Sequence, residues 1–310
     1  MPQDLKIGVI GCGRLGQIHS RVYTEIPYIR LAGVCDTVAE RAGATALQFN
    51  TEAFGDYRTL LARVDAVSIA TPTNTHFEIA KAAILLKKHI LVEKPVTDNL
   101  RQARILMRLA HRHKVIFQVG HVERFNSAFI ATQKLALNPR FIECHRLSPF
   151  PNRSLDIGVV FDLMIHDIDI ILGLVRSRIK RIDAVGISVL TPFEDIANVR
   201  ITFRNGCVAN LTASRISEEP LRKIRIFLKD TYISLDYQAQ EAFCYKKEKT
   251  SINKTSIPIE KEEPIRKEID SFLLCVRNNR KPVVSGLEAY QALKIATKIR
   301  NILWHKRSLW

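Results

Sequence analysis

The chain has 310 residues, enough for two domains with separate cores. Its 46% hydrophobic and 25% charged residues are globular values that exclude a disordered chain; no apolar run approaches bilayer length, and Met1 to Lys6 lacks the parts of a signal peptide, so a cytoplasmic protein is expected. The six cysteines stand singly, against a disulfide framework or structural zinc, and the formal charge of +16 is spread along the length, which favours a solvated surface over a nucleic-acid or membrane partner.

Residues Leu5 to Ile10 form a mostly apolar strand that runs into Gly11-Cys12-Gly13-Arg14-Leu15-Gly16. A G-x-G-x-x-G turn between a strand and a helix suits a dinucleotide. The first glycine makes the tight turn, the second admits a diphosphate, the third allows close helix packing, and the helix N-terminus offers free N–H groups. Glycine-rich turns also occur for steric reasons alone. A second strand, Arg30 to Cys35, ends at Asp36, whose carboxylate can accept the adenosine ribose hydroxyls. Facing a 2′-phosphate at about 4 Å it would be repelled by about 4 kcal/mol at an intermediate dielectric, so NAD is expected over NADP, with Arg41 able to offset part of that.

A helix, Thr37 to Phe49, and a strand, Val64 to Ala70, lead to Thr71-Pro72-Thr73-Asn74-Thr75-His76. Thr71, Asn74 and His76 can line the cofactor's second half; helix capping by Thr73 or Asn74 is the competing use. Next, Ile90-Leu91-Val92 runs straight into Glu93-Lys94-Pro95, a buried parallel strand stopped by proline at the sheet's carboxyl edge. Ligands of open α/β sheets sit beyond that edge, so Lys94 is a candidate to meet cofactor and substrate. A helix from Asn99 to His113 and a strand from Val115 to Val119 complete a β/α alternation that reads as a doubly wound parallel sheet.

The pattern changes at Gly120, and the domains are expected at 1–120 and 121–310. His121, Arg124, Phe125 and Asn126 open the second domain as candidate substrate contacts, followed by a helix to about Leu137 and a strand from Phe141 to Leu147. The loop Ser148 to Ser154 is placed to border a site. In the next helix Asp162 and His166 are four apart and share a face, so a carboxylate orients an imidazole that can accept a hydroxyl proton. A structural pair and a metal site with Asp167 and Asp169 are the alternatives, although Asp167 points off the His166 face. Strands recur from Ile182 to Leu235, with alternation that implies a mainly antiparallel sheet with one free face. Lys246 to Glu263 reads as a charged loop, and helices at Ile265 to Arg277 and Leu287 to Leu303 close the chain before a basic tail, Arg300 to Trp310.

Taken in order, Gly11 to Gly16, Thr71-Pro72 to His76, Glu93-Lys94-Pro95 and Asp162-x-x-x-His166-Asp167 resemble the motifs of the Gfo/Idh/MocA oxidoreductases over essentially the whole chain. The resemblance implies an α/β fold: an N-terminal Rossmann domain, then a C-terminal α/β domain with a large, mainly antiparallel open sheet that assembles dimers or tetramers. It also implies an NAD-dependent sugar dehydrogenase without a catalytic metal, with Glu93 and Lys94 at the cofactor, Lys94 on the substrate hydroxyl, His166 as general base and Asp162 as its partner. Gly158-Val159 stands where many members have two glycines, and residues 120–126 are most similar to the branch acting on sugar nucleotides such as UDP-N-acetylglucosamine, where Arg124 would meet the diphosphate. The rival expectations are a non-catalytic NAD-binding sensor or corepressor and, from charge alone, a nucleic-acid binder.

Overall fold

Residues 4–150 and 157–307 are described by a computed structural model. The chain divides into two units, one of Met1–His121 with Ile265–Tyr290 and one of Val122–Pro264 with Gln291–Trp310.

In the first unit, strands and helices alternate: β1 (Leu5–Ile10), α1 (Arg14–Thr24), β2 (Ile29–Cys35), α2 (Ala39–Gln48), β3 (Ala53–Phe54), α3 (Tyr57–Leu61), β4 (Ala66–Ile69), α4 (Thr73–Leu85), β5 (His89–Glu93), α5 (Leu100–His113) and β6 (Phe117–Gly120). The strands pair in parallel in the order β3-β2-β1-β4-β5-β6. Every residue of β4 is buried, which is why the strand shows no alternation of inward and outward residues. The chain reverses direction across the sheet at β1, flanked by β2 and β4, so the crevice beyond their carboxyl ends is the switch point where such sheets take ligands. Asn99 caps α5 by accepting from the Gln102 amide, and Lys114 ends it in the left-handed region. The short β3 and α3 carry too few residues for a periodic signal and were not legible in the sequence.

The second unit begins with a 3-10 turn, Val122–Phe125, then α6 (Ser127–Thr132) and β7 (Phe141–Leu147). The helix expected to reach Leu137 stops at Thr132, whose hydroxyl turns back onto the carbonyls of Ala128 and Phe129. The loop expected to border a site lies outside the described residues from 151 onward, as does the end of the basic tail from 308. A π turn, Val160–Met164, leads into α7 (Ile165–Val175). Then follow β8 (Ile179–Ile187), β9 (Ile196–Phe203), β10 (Val208–Ser214), β11 (Leu221–Phe227), β12 (Thr231–Asp236), β13 (Glu241–Lys247) and β14 (Ile252–Ser256).

These strands and β7 form one eight-stranded sheet, β14-β13-β12-β11-β7-β10-β9-β8, antiparallel except for β7 with β10. The fold is therefore the α/β architecture expected, a Rossmann-type parallel sheet and a large, mainly antiparallel one. Part of the segment expected as a charged loop is instead β14, an edge strand exposed along its length and held by Lys254 over the Phe243 ring. Its lysine, asparagine and threonine residues protect an edge but leave no apolar phase to read.

The chain closes with α8 (Pro264–Asn278) and α9 (Gly286–Arg307). Ile269, Phe272, Leu273 and Cys275 of α8 share a core with Ile7, Val9, Val34 and Leu91 of the parallel sheet. A continuous second domain over 121–310 is thus interrupted: the apolar stripe of α8 is buried in the first unit.

Candidate functional site

The glycine turn after β1 is built as its spacing requires. Gly11 sits at φ +97° and donates its amide to the Cys35 carbonyl at 2.7 Å, while a side chain there would strike the carbonyl of Ala70. Gly13 is different: a Cβ on it would meet nothing, and Gly13 and Arg14 are exposed with Leu15 half-buried. The helix α1 has no side-chain cap, so the N–H groups of its first turn point out beside that open glycine. A diphosphate fits this opening, in charge and in the space left for it.

Asp36, one residue past β2, already has a structural task. One oxygen accepts the Cys12 amide and the other the Val38 amide, both at 2.9 Å, so the carboxylate ties the glycine turn to the end of β2. A carboxylate offers about four acceptor positions, which leaves capacity for ribose hydroxyls.

The segment after β4 departs from expectation at His76. Thr71 is half-buried and Asn74 exposed, as a cofactor-facing role requires, but His76 is 1% exposed, with Nδ1 2.9 Å from the Pro95 carbonyl and Nε2 2.8 Å from that of Thr71. The buried ring sits between the Thr71 turn and the Lys94–Pro95 peptide, which is cis, and as a neutral imidazole it donates to one of the two carbonyls at a time, so His76 is a brace and not a cofactor contact. Burial lowers its basicity; the two carbonyls and Glu93 pull the other way without reversing the direction.

Glu93 likewise turns inward. Its carboxylate lies 3.3 Å from Nε2 of His19, accepts the Lys94 amide at 3.3 Å, and fills the space a side chain on Gly120 would need. Burial alone would raise its carboxyl, but the His19 imidazole beside it, with the charge and amide of Lys94, holds it below the ordinary value. The expected cofactor contact at Glu93 is thus replaced by an anchor for the next residue. Lys94 itself is half-buried at the carboxyl end of β5.

Three of the expected substrate contacts are inside, and the fourth, Arg124, is half-buried. His121, Phe125 and Asn126 are 1%, 5% and 2% exposed. Asn126 caps α6 through the Ala128 amide and donates to the Tyr237 carbonyl. The Arg124 guanidinium is bound to Asp169, with Nε 2.5 Å from Oδ2 and Nη2 2.6 Å from the backbone oxygen, and it fills the space beside Gly173. Asp169 holds the guanidinium along its Nε–Nη2 edge, which ties Arg124 to α7 and speaks against its expected role as a diphosphate contact.

On the following helix Asp167 and Asp169 are separated from Asp162 and His166 by their partners. Asp167 takes Arg146 on both oxygens, at 3.0 and 2.8 Å, and Arg146 also reaches Glu123 at 2.7 Å; all three are buried. Asp167 and Asp169 are therefore held by arginines and do not converge with His166 on a metal. Asp162 and His166 are each half-buried. Asp162 lies in the π turn and His166 in α7, so their four-residue spacing spans a wider turn than the α-helix expected, a form of irregularity common at functional sites. Glu194 supports the start of that turn: its backbone carbonyl takes the Val159 amide, its carboxylate accepts the Val160 amide at 3.3 Å, and Gly158 is the residue whose missing side chain makes room for it.

Sequence reasoning missed His19, Arg146 and Glu268. Each had a signal, a charged or polar residue in an apolar phase. Arg146 follows Ile142 and Cys144 on the inward side of β7, and Glu268 lies in the stripe Ile265, Ile269, Phe272 of α8. Among the described residues, His19, Glu93 and Glu268 form the one group of three potential ligands with atoms within 4.8 Å of one another.

Comparison with known proteins identifies the family. The model of an oxidoreductase family with an NAD-binding Rossmann fold, Gfo/Idh/MocA, matches residues 5–121, and that of the family's C-terminal domain matches 136–233. The chain is 37% identical over 303 residues to the UDP-N-acetylglucosamine 3-dehydrogenase of Acidithiobacillus ferrooxidans, covering 96% of each, and superposes on a crystal form of that enzyme with a TM-score of 0.92 over 96% of this chain and 97% of that one. It is 27% identical to the scyllo-inositol 2-dehydrogenase (NAD+) of Bacillus subtilis over 97% of this chain and 94% of that one.

Proposed function

The chain belongs to the Gfo/Idh/MocA family of NAD-dependent oxidoreductases, and from that premise we propose that its substrate is a nucleotide-linked sugar of the UDP-N-acetylglucosamine kind, oxidised at a secondary hydroxyl. The observation that carries the substrate class is the 37% identity spread over 96% of both chains with an enzyme named for that substrate, against 27% for an inositol dehydrogenase of similar coverage. That both relatives described above are dehydrogenases favours an enzyme over a sensor of the same fold.

Gly11, Gly13, Arg14, Leu15 and Gly16 would hold the diphosphate of NAD, Asp36 the adenosine ribose, and Thr71 and Asn74 the second half. Nicotinamide, when bound, supplies the hydride acceptor in oxidation and the donor in the reverse direction. His166 takes the hydroxyl proton on an imidazole nitrogen, and Asp162 steadies the imidazolium so formed. Lys94, at the carboxyl end of β5, would offer its ammonium to the negative charge that builds on the substrate. Oxidation leaves a ketone, with the proton on His166 passing to solvent.

We further propose a cytoplasmic enzyme that works as a homo-dimer or homo-tetramer through the free face of the second sheet, with no nucleic-acid partner. Six free cysteines support a reducing compartment, and among the described residues no helix is long and apolar enough to cross a membrane. A row of rings crosses that sheet, Phe141 to Phe227 at 5.5 Å, Phe227 to Tyr232 at 5.2 Å and Tyr232 to Tyr245 at 4.2 Å, which supports an interface there.

The test is a screen of the purified enzyme with NAD+, following formation of reduced nicotinamide on UDP-N-acetylglucosamine, other UDP-sugars, free N-acetylglucosamine and inositols. Turnover confined to the nucleotide-linked sugars is the expected result. Turnover of inositols without the sugar nucleotides would overturn the substrate class.

A further inference from the structure

Behind β5 the first unit encloses a polar cluster that the chemistry above does not use. His19 and Tyr23 of α1, Ser68 of β4, Glu93 of β5 and Glu268 of α8 meet there, and every one of them is buried. Ser68 is the hinge of one half: its hydroxyl is 3.1 Å from His19 Nδ1 and 2.7 Å from the Tyr23 hydroxyl. With Nδ1 engaged by Ser68, His19 presents Nε2 to Glu93 at 3.3 Å.

Glu268 is the unusual member. It is 0% exposed, neither carboxyl oxygen has a hydrogen-bond partner, and its atoms lie within 4.8 Å of the ligand atoms of both His19 and Glu93. Its backbone carbonyl is held by the Gln118 side chain at 2.9 Å, which fixes this point of α8 against β6. Two buried carboxyl groups this close cannot both stay ionised at reasonable cost, and Glu93 is the one with an imidazole beside it and the Lys94 amide on it.

We propose that Glu268 is a positioning residue that stays uncharged and closes a His19–Glu93–Glu268 trio, fixing the carboxylate that sets Lys94 at the end of β5. The inference rests on the reading of Lys94 as a catalytic group. Burial and the neighbouring Glu93 charge both push the Glu268 carboxyl well above the ordinary range, in keeping with an acid that holds its proton. The titratable groups around it are His19 and Tyr23 from α1 and Glu93 from β5, with the Lys94 charge beyond Glu93. A proton suits the trio better than a metal ion: it offers three donors where a structural zinc takes four, and His19 already faces Glu93 directly.

The experiment pairs infrared difference spectroscopy of the full-length enzyme with kinetics of Glu268→Gln and Glu268→Ala. An acid carbonyl band present at neutral pH and absent from Glu268→Gln is expected. Glu268→Gln, neutral and of the same shape, should keep kcat within about threefold, whereas Glu268→Ala should lower kcat by about tenfold or more with NAD affinity little changed. Lack of the acid band, stoichiometric metal in the purified protein, or a Glu268→Gln as impaired as Glu268→Ala would overturn the proposal. Lys94→Ala, run alongside, separates the two readings: unaltered turnover there removes the role of Lys94, while the band reports Glu268 alone.

Discussion

Gly16 is packed onto Gly11 so closely that a methyl on Gly16 would run into the carbonyl oxygen of Gly11, whereas a methyl on Gly13 would meet nothing. One turn therefore contains a glycine needed by the fold and another needed by whatever enters from outside. Gly16→Ala should destabilise the enzyme by about 1–3 kcal/mol through overpacking. Gly13→Ala should leave the unfolding midpoint nearly unmoved and weaken NADH by about tenfold or more, since a bulge is placed where the diphosphate approaches. Thermal unfolding with NADH fluorescence titration checks both; a Gly13 variant that binds like the parent would remove the turn from the cofactor site.

Arg146 joins Glu123 and Asp167 where none of the three reaches solvent, and the two carboxylates keep its guanidinium charged against the cost of burial. Removing the cation strands two buried carboxylates, so Arg146→Ala should cost about 3–5 kcal/mol. Urea unfolding measures it. A loss below about 1 kcal/mol, the range of an exposed pair, would mean that water reaches the trio.

Stability should fall from neutral pH toward pH 5 through two histidines. Burial lowers the basicity of both His76 and His89 from the ordinary value of 6.5, the opposing pull of Asp65 on His89 being too weak to reverse it. Each is neutral in the folded protein, and the unfolded chain takes up the proton first. The contribution is full above about pH 6.5, is lost as pH drops below it, and levels off beneath the folded values. His89 must be unprotonated at Nδ1, which accepts the Ile116 amide at 2.9 Å. His89→Gln retains an acceptor without the titration, so its unfolding midpoint should vary less with pH over this window. An equal slope in parent and variant would contradict the assignment.

The Rossmann-type unit was legible because its signals are local. Strand, glycine turn and helix follow one another within Leu5 to Thr24, and β5 ends in Glu93-Lys94-Pro95 as buried parallel strands do. What was not legible depends on partners distant in sequence. Arg124 reads as a free cation until Asp169, 45 positions on, is seen to hold it. Glu93 and Lys94 look alike as sheet-edge charges, yet His19 draws the first inward and not the second. The place of α8 in the first unit has the same origin, since its apolar stripe says that it packs but not on which sheet.

The proposed meeting of copies at the free face of the second sheet can be tested at its tyrosines. Tyr232 and Tyr245 stack at 4.2 Å with planes only 4° apart, and both are half-buried. If copies meet there, Tyr232→Glu should lower the mass measured by light scattering to that of one chain, because a carboxylate buried in an apolar interface has no partner. A parent that is already monomeric, or a variant whose mass is unchanged, would move the interface elsewhere.

Cofactor choice turns on Asp36, and the structure separates its two tasks. Its carboxylate binds the amides of Cys12 and Val38, so replacement by alanine would loosen the glycine turn as well as change the charge. Asp36→Asn removes the charge while keeping one acceptor oxygen, which makes it the cleaner probe. With the repulsion of a 2′-phosphate relieved, affinity for NADP relative to NAD should rise by about tenfold or more, equivalent to about 1.4 kcal/mol. That is only part of the roughly 4 kcal/mol that two charges about 4 Å apart would give at an intermediate dielectric, because solvent screens the half-buried carboxylate. The measurement is the ratio of kcat/KM with the two cofactors in parent and variant. A ratio that stays put would mean that Asp36 serves the turn alone and that the ribose is read by another residue.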